Sequence, residues 1–370
     1  MKNIFKLLAF LPLLTACDDL FEPALENNRD LEAMYKEPSY AQGILANAYI
    51  ILPYETSPTS DLATDDAVTN EISSNYLRMA TGSWTANNNP VSQWQNRFNA
   101  IQYINLFLEN VDKVEWAKDE RISTMFLDRL KGEAYGLRAL HMYYLLRAHG
   151  GKIADGTLMG VPIILKSEGP DADFNHARAT YSDCVKQIME DADKAIELLP
   201  LDYKKFADSE IPEKYKNIGV TNASDYRRVC GEEYRGLMSG RIALAVRAQT
   251  ALLAASPAFQ SGSGMTWEQA ADYAAEIIEK ANGGGGCGLD ADGLEWYTLA
   301  DKDYGTGGSP AEVIWRSSTD DNNTLETANF PPSLYGNGRV NPTQNLVDAF
   351  PMANGYPISE TSGNYDAENP

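Results

Sequence analysis

Histidine is scarce in this 370-residue chain: only His141, His149 and His176 occur. No His-x-x-x-His or Glu-x-x-His pair exists among them, so a histidine-built metal centre is not expected. Cysteine numbers four. No Gly-x-Ser-x-Gly elbow is present to support serine-nucleophile chemistry. The run Gly283–Gly286 lacks the Gly-Lys-Ser/Thr ending of a phosphate cradle. Past the N-terminus, no apolar stretch approaches the roughly 18 residues that a transmembrane helix needs. Cations are also outnumbered, with 31 Lys and Arg against 52 Asp and Glu and a net charge of −21. An anionic surface repels phosphate backbones, which argues against nucleic acid as a partner.

What the chain does contain is core material. Apolar residues make up 44% of it, and the aromatics include 20 Tyr, 11 Phe and 6 Trp. That is enough for one large domain or two ordinary ones, and it excludes a disordered chain.

Residues 1–16 have the form of a signal peptide. Lys2 and Lys6 precede a short apolar stretch from Ile4 to Leu14. Leu14-Thr15-Ala16-Cys17 has the pattern of a bacterial lipobox, in which the cysteine becomes the lipidated first residue. Acyl chains on Cys17, palmitate among them, would tether a soluble body to a membrane. Residues 17–37 then form an extended leader, and 38–370 the folded domain. Of the remaining cysteines, Cys184 falls inside a helical pattern as a small buried residue. A Cys230–Cys287 bridge is permitted by the compartment but has no pattern behind it.

The dominant signal is amphipathic helix. One helix is expected over 93–113, with Trp94, Phe98, Ile101, Asn105 and Leu108 on one face. A second covers 122–148, carrying Phe126, Leu130, Ala134, Leu137, Leu140 and Tyr144, and stops at Gly150-Gly151. A third, over 181–199, has Thr180 as N-cap and Pro200 as its end. Others are expected over 238–255, over 267–281 behind a Thr266/Gln269 capping box, and over 38–52 and 343–350. Strand signals are short: Val161–Leu165 and Glu312–Arg316. Helices 93–113 with 122–148, and 238–255 with 267–281, read as antiparallel hairpins. The fold class is mainly α, a tetratricopeptide-like scaffold of helix pairs. Long inserts interrupt it at 53–92, 149–179, 200–237 and 282–342. Inserts of this size are functional or carry structure of their own.

Several segments resemble the SusD/RagB family, surface nutrient-binding lipoproteins of Bacteroidetes. The central one runs from Gly132 to Tyr144 (GEAYGLRALHMYY), followed by Gly150-Gly151 and Val161-Pro162. The likeness continues through Arg178-Ala179-Thr180-Tyr181, Asp191-Ala192, Leu199-Pro200, Gly240-Arg241 and Ala251–Pro257. It extends to Trp267, to Glu312–Trp315, and to Pro342–Met352 with Asn354-Gly355. The resemblance implies a helix-pair scaffold with an irregular, loop-rich half that carries the ligand site. It also implies binding of an oligosaccharide, or in some members a peptide, without chemistry or cofactor. The implied partner is a TonB-dependent outer-membrane barrel of the SusC type. Family members usually continue past the Asn-Gly segment into an Arg-Asp-Pro-Arg-like motif, which this chain lacks before Pro370. A C-terminal part of the family's domain is therefore expected to be missing.

Candidate ligand residues come from aromatics in loops. Trp84 lies in the polar insert Thr81–Asn89 beside Asn87 and Asn88; Trp296, Tyr297, Tyr304 and Tyr335 lie in the last insert. Sugar rings present C–H faces that pack on aromatic rings, while their hydroxyls suit amide side chains. The other reading is that these rings anchor loops to the helices. Trp94, Trp116, Trp267 and Trp315 are read as packing residues. Arg138 and Asn105, polar on apolar faces, are read as a buried tie between helices and loops. His141 and His149 are assigned structural or surface roles. Asp290-Ala291-Asp292-Gly293 begins like a calcium loop but puts Asp301 where the glutamate belongs, so it reads as plain loop. No catalytic or metal-binding residue is assigned. Two rivals remain: a peptide- or cofactor-binding member of the same group, and an extracellular glycoside hydrolase using paired acids such as Asp128 and Glu133.

Overall fold

The computed structural model of the chain describes residues 32–53, 60–85, 87–282, 313–316, 322–358, 365–366 and 368. The helices include α1 (Pro38–Ile50), α2 (Trp94–Asn110), α3 (Glu120–His149), α4 (Tyr181–Leu198), α5 (Ala223–Cys230), α6 (Gly240–Ala255), α7 (Trp267–Asn282) and α8 (Gln344–Ala349), of which α2 and α3 line the site. The fold is mainly α, as the periodicity predicted. The predicted caps hold: the Asp183 amide donates to Thr180 Oγ1 at 3.1 Å. At α7 the capping box closes both ways, Gln269 N to Thr266 Oγ1 at 3.2 Å and Thr266 N to Gln269 Oε1 at 2.9 Å.

Helix α3 is the hub, 30 residues and about 45 Å long. It packs against α2, α4 and α6, and both predicted hairpins, α2/α3 and α6/α7, are in contact. Helix α4 lies against both α3 and α6, joining the two pairs into one body. The predicted stripe on α3 covers only one of its faces. Between Gly132 and Leu146 the opposite face is buried as well, through Gly132, Ala139, Met142 and Leu146. The glycines allow close approach: a Cβ at Gly132 would stand 2.6 Å from Leu199 Cγ, and one at Gly136 would stand 2.6 Å from Met238 Cγ.

Neither predicted strand forms. Residues 161–165 and 313–316 belong to no ladder, and Glu312 lies outside the described residues. Among the described residues two small antiparallel pairs occur instead: Ala67–Thr69 with Val340–Pro342, and Gly151–Lys152 with Leu158–Met159. The segment after Val161 is held by side chains of α2 rather than by a neighbouring strand. Asn105 Nδ2 donates to the carbonyls of Ile164 (2.9 Å) and Lys166 (3.1 Å). The Gln102 amide binds both the carbonyl and the N–H of Glu168, each at 2.9 Å. Glu109 accepts from the N–H and hydroxyl of Ser167 at 2.7 and 2.6 Å. Gln102, Asn105 and Glu109 are spaced to share one helical face, so a row of side chains replaces the β-partner.

The insert 200–237 carries structure of its own. Ile211, Tyr215, Val220, Tyr226, Val229 and Cys230 close a second, smaller core on Ile122 and Met125 at the start of α3. Cys184 is buried as predicted, its thiol donating to the Val161 carbonyl at 3.3 Å. Cys230 is buried too, which pushes its thiol up to about 12. Cys17, Cys287 and the 290–293 loop lie outside the described residues.

Candidate functional site

The chain enters α2 through two side-chain turns. Asn89 Oδ1 accepts from the Val91 N–H at 3.0 Å, and Ser92 Oγ accepts from the Trp94 N–H at 3.3 Å. Just before them, Thr85 and Asn88 exchange backbone hydrogen bonds of 3.3 and 3.0 Å, closing a tight turn that carries Asn87. Trp94 is thereby the first residue of α2, where a helix has no preceding turn to cover it. Its indole meets Phe98 edge-on at 4.8 Å and His149 edge-on at 5.4 Å between ring centroids. These contacts fix the plane of a ring that stays 43% exposed.

His149 ends α3, and its Nε2 accepts from the Gln93 N–H at 3.0 Å. The accepting nitrogen carries no proton, so the ring proton sits on Nδ1. Burial and then the neighbouring Arg178 guanidinium lower its pKa, keeping the imidazole neutral. Arg178 itself donates to the carbonyls of Gly160 (2.7 Å) and His149 (2.9 Å).

Two pockets flank Trp94, and its ring lines both. The first, about 410 Å³, is walled by Asn87, Asn88, Asn89, Ser92 and His149. The second, about 320 Å³, has Phe98, Asn99, Glu168, Phe174 and His176 in its wall. Both sizes fall in the range of small-molecule sites. The combination is aromatic faces interleaved with amides, a carboxylate and imidazoles. It can stack a ring and hydrogen-bond hydroxyls; Ser92 Oγ and His149 Nε2 each accept from a backbone N–H, and no hydrogen bond joins them among the described residues. Among the described residues no group of three or more His, Cys, Asp or Glu could hold a metal ion.

The predicted candidates divide. Asn87 and Asn88 line the first pocket. Trp84, in the same insert, is 49% exposed and lines neither pocket. Tyr335 also lines neither; it is 97% exposed and held at φ 64°, a left-handed conformation uncommon for a non-glycine residue. Trp296, Tyr297 and Tyr304 lie outside the described residues. Two expected packing residues are corrected: Trp94 is the wall shared by both pockets, and Trp267 is half exposed at the start of α7, for the same reason of helix position. Trp116 is buried and donates to the Val111 carbonyl at 3.2 Å; Trp315 donates to Gly236 O at 2.8 Å. Phe98, Asn99, His149, Glu168, Phe174 and His176 were not predicted as ligand residues. Phe174 met the criterion that selected Trp84, since it lies in the polar stretch Asp171–His176 without helical period.

The other polar candidates are structural. Arg138 forks onto Asp191, with Nε to Oδ2 at 2.7 Å and Nη2 to Oδ1 at 2.8 Å, and donates Nη1 to Asn105 Oδ1 at 2.9 Å. That is the predicted tie between helices and the loop that Asn105 grips. Glu133 is buried, accepting from Tyr49 Oη at 2.8 Å beside Arg129 at 3.3 Å. Burial raises its pKa against the pull of both partners. Asp128 is engaged by Tyr215 Oη (3.0 Å) and Lys214 (3.2 Å). The two acids are each committed to structural partners and line neither pocket.

A family model described as SusD-like, starch-binding and associating with the outer membrane matches residues 25–214, just over half of the chain. The chain belongs to the SusD-like family. Among solved structures, a SusD-like protein from Bacteroides fragilis matches with a TM-score of 0.61 and 18% identity, over 91% of this chain and 57% of that one. A SusD-like carbohydrate-binding protein from the same organism matches with a TM-score of 0.56 and 18% identity, over 90% of this chain and 57% of that one. At such identity the likeness is one of fold, and this SusD-like chain spans 57% of the length of each. No curated protein matches it significantly. Among the described residues, no helix is long and apolar enough to cross a membrane.

Proposed function

We propose that this SusD-like chain is a cell-surface glycan-binding lipoprotein that does no chemistry on its ligand. The observation that carries the reading is the half-exposed Trp94 ring, fixed by Phe98 and His149 and bordered by open amides. The Asn87 and Asn88 side chains make no hydrogen bond among the described residues, which leaves them available to sugar hydroxyls. The family's description as starch-binding and outer-membrane-associated supports the same ligand class and location. Trp84 and Tyr335 offer further exposed rings, with Trp296, Tyr297 and Tyr304 as sequence-based candidates. Lipid on Cys17 would hold the body at the outer membrane, facing outward. Bound glycan would pass to a TonB-dependent barrel of the SusC type.

The test is calorimetric titration with maltoheptaose and other neutral oligosaccharides, with the ligand recovered afterwards. Binding with intact ligand is expected, and Trp94→Ala should weaken it at least tenfold without unfolding the protein. Released shorter products would favour the hydrolase, and capture of peptides alone would favour the peptide-binding reading. Wild-type affinity in Trp94→Ala would overturn the site.

A further inference from the structure

The groove on either side of Trp94 contains a carboxylate, and its other ionisable groups are imidazoles. Its ionisable wall residues are His149, Glu168 and His176. His149 is held neutral, as its hydrogen bond from Gln93 requires. Glu168 Oε1 accepts from His176 Nε2 at 2.6 Å, which leaves Oε2 without a donor among the described residues. Neither Lys nor Arg lines either pocket. The cations on the packed elements are committed elsewhere or turned away from it. Arg97 of α2 is buried against His141, at 3.1 Å from Nδ1. Arg178 is spent on backbone carbonyls. Lys166 is exposed on the same segment as Glu168 but lines neither pocket.

Glu168 is also held in place. Gln102 binds its carbonyl and its N–H, and Glu109 binds Ser167 beside it, so the carboxylate's backbone cannot swing aside to admit an anion. The same pocket is lined by three aromatic side chains, Trp94, Phe98 and Phe174, the last 63% exposed, and by Asn99, whose amide has no partner among the described residues. Rings and acceptors of this kind suit C–H faces and donating hydroxyls. A ligand carboxylate or sulfate would meet Glu168 Oε2 with no Lys or Arg in the wall and with the His176 imidazole already spent on Oε1, and like charges in a partly desolvated cleft repel strongly.

We infer that Glu168 is a specificity-determining residue, and that the groove selects neutral or amino sugars over uronic-acid and sulfated glycans. The inference rests on the glycan-binding reading and narrows its ligand class. The second pocket, with Phe174, Asn99 and Glu168, is a separate subsite across the Trp94 ring, and the whole chain's charge of −21 acts in the same sense.

The test uses oligosaccharides of matched length: maltoheptaose, cellohexaose, mannohexaose and galactohexaose as neutral probes, and hexagalacturonate as the acidic one. At least one neutral probe should bind, and hexagalacturonate should bind at least tenfold more weakly than that probe. Glu168→Gln keeps an acceptor for His176 and should raise affinity for hexagalacturonate, relative to the best neutral probe, at least threefold. Hexagalacturonate binding as tightly as the best neutral probe would overturn the selectivity and leave glycan binding standing. An unchanged ratio of the two affinities in Glu168→Gln would remove Glu168 as the determinant. Silence from every probe would instead sink the glycan reading itself.

Discussion

His141 shows how an ionisable side chain becomes a packing element. It is fully buried, and its Nε2 lies 3.1 Å from the Ala48 carbonyl, which can only accept. Nδ1 lies 3.1 Å from an Arg97 nitrogen, which can only donate. The neutral Nε2–H tautomer therefore satisfies both contacts, and a second proton would face a guanidinium. Burial, then Arg97, hold its pKa down at about 3, against an ordinary value near 6.5. The unfolded chain takes up a proton first as pH falls, so this stability is complete above about pH 6.5 and is lost from there down toward pH 3. The slope approaches about 1.4 kcal/mol per pH unit. A urea series at pH 7, 6 and 5 should show the wild-type midpoint falling, with His141→Gln falling less steeply over the same interval. Parallel slopes would refute the assignment. From sequence His141 carries a structural or surface assignment as a residue near a helix end; its burial in α3 decides for the structural one. Trp94 was not legible as a ligand wall, because helical spacing alone does not distinguish the covered interior of a helix from its open first turn.

At the scale of elements, tight helix contacts depend on glycine. Replacing Gly132 by Ala gains up to about 1 kcal/mol of helix propensity. It also drives a methyl group to within 2.6 Å of Leu199 Cγ and 3.0 Å of Leu198 Cβ, where overpacking costs about 1–3 kcal/mol. A net loss is expected for Gly132→Ala in chemical denaturation, and a gain would show that α3 and the chain after α4 can part without cost. The Arg138–Asp191 fork is more demanding. Asp191→Ala strands a buried guanidinium and should cost about 3–5 kcal/mol; a loss below about 1 kcal/mol would mean that Asn105 alone satisfies it. The helices themselves were readable to within a few residues from 3.6-residue periodicity and from caps such as Thr180 and Thr266. The strand expected at Val161–Leu165 failed for a definite reason. Its apolar letters are those of a buried strand, but Val161 bonds Ala179 and Cys184, and Ile164 bonds Asn105 on a helix some 60 positions earlier, where no local pattern announces them.

The described residues form two cores that meet at Phe126 of α3 and differ in size. The larger joins α1, α2, α3, α4, α6 and part of α7; the smaller holds the 200–237 insert. Truncating Ile211, buried in the smaller core, should remove about 2–5 kcal/mol from that region alone. Hydrogen exchange in Ile211→Ala is expected to quicken over 211–231 while the amides of α4 keep their protection. Uniform acceleration across both would show a single cooperative unit. The groove belongs to the larger body, so glycan affinity should survive this change.

The side chains of Gln102, Asn105 and Glu109 have one more consequence. Because the path of residues 164–168 is written into a helix, the segment's own letters are released from the task of keeping it in place. Exchanges among Glu168, Phe174 and His176 can alter what the cleft prefers while its outline persists. Such a division of labour makes the wall a replaceable face on a permanent mount, and ligand preference can drift between related chains without a change of architecture.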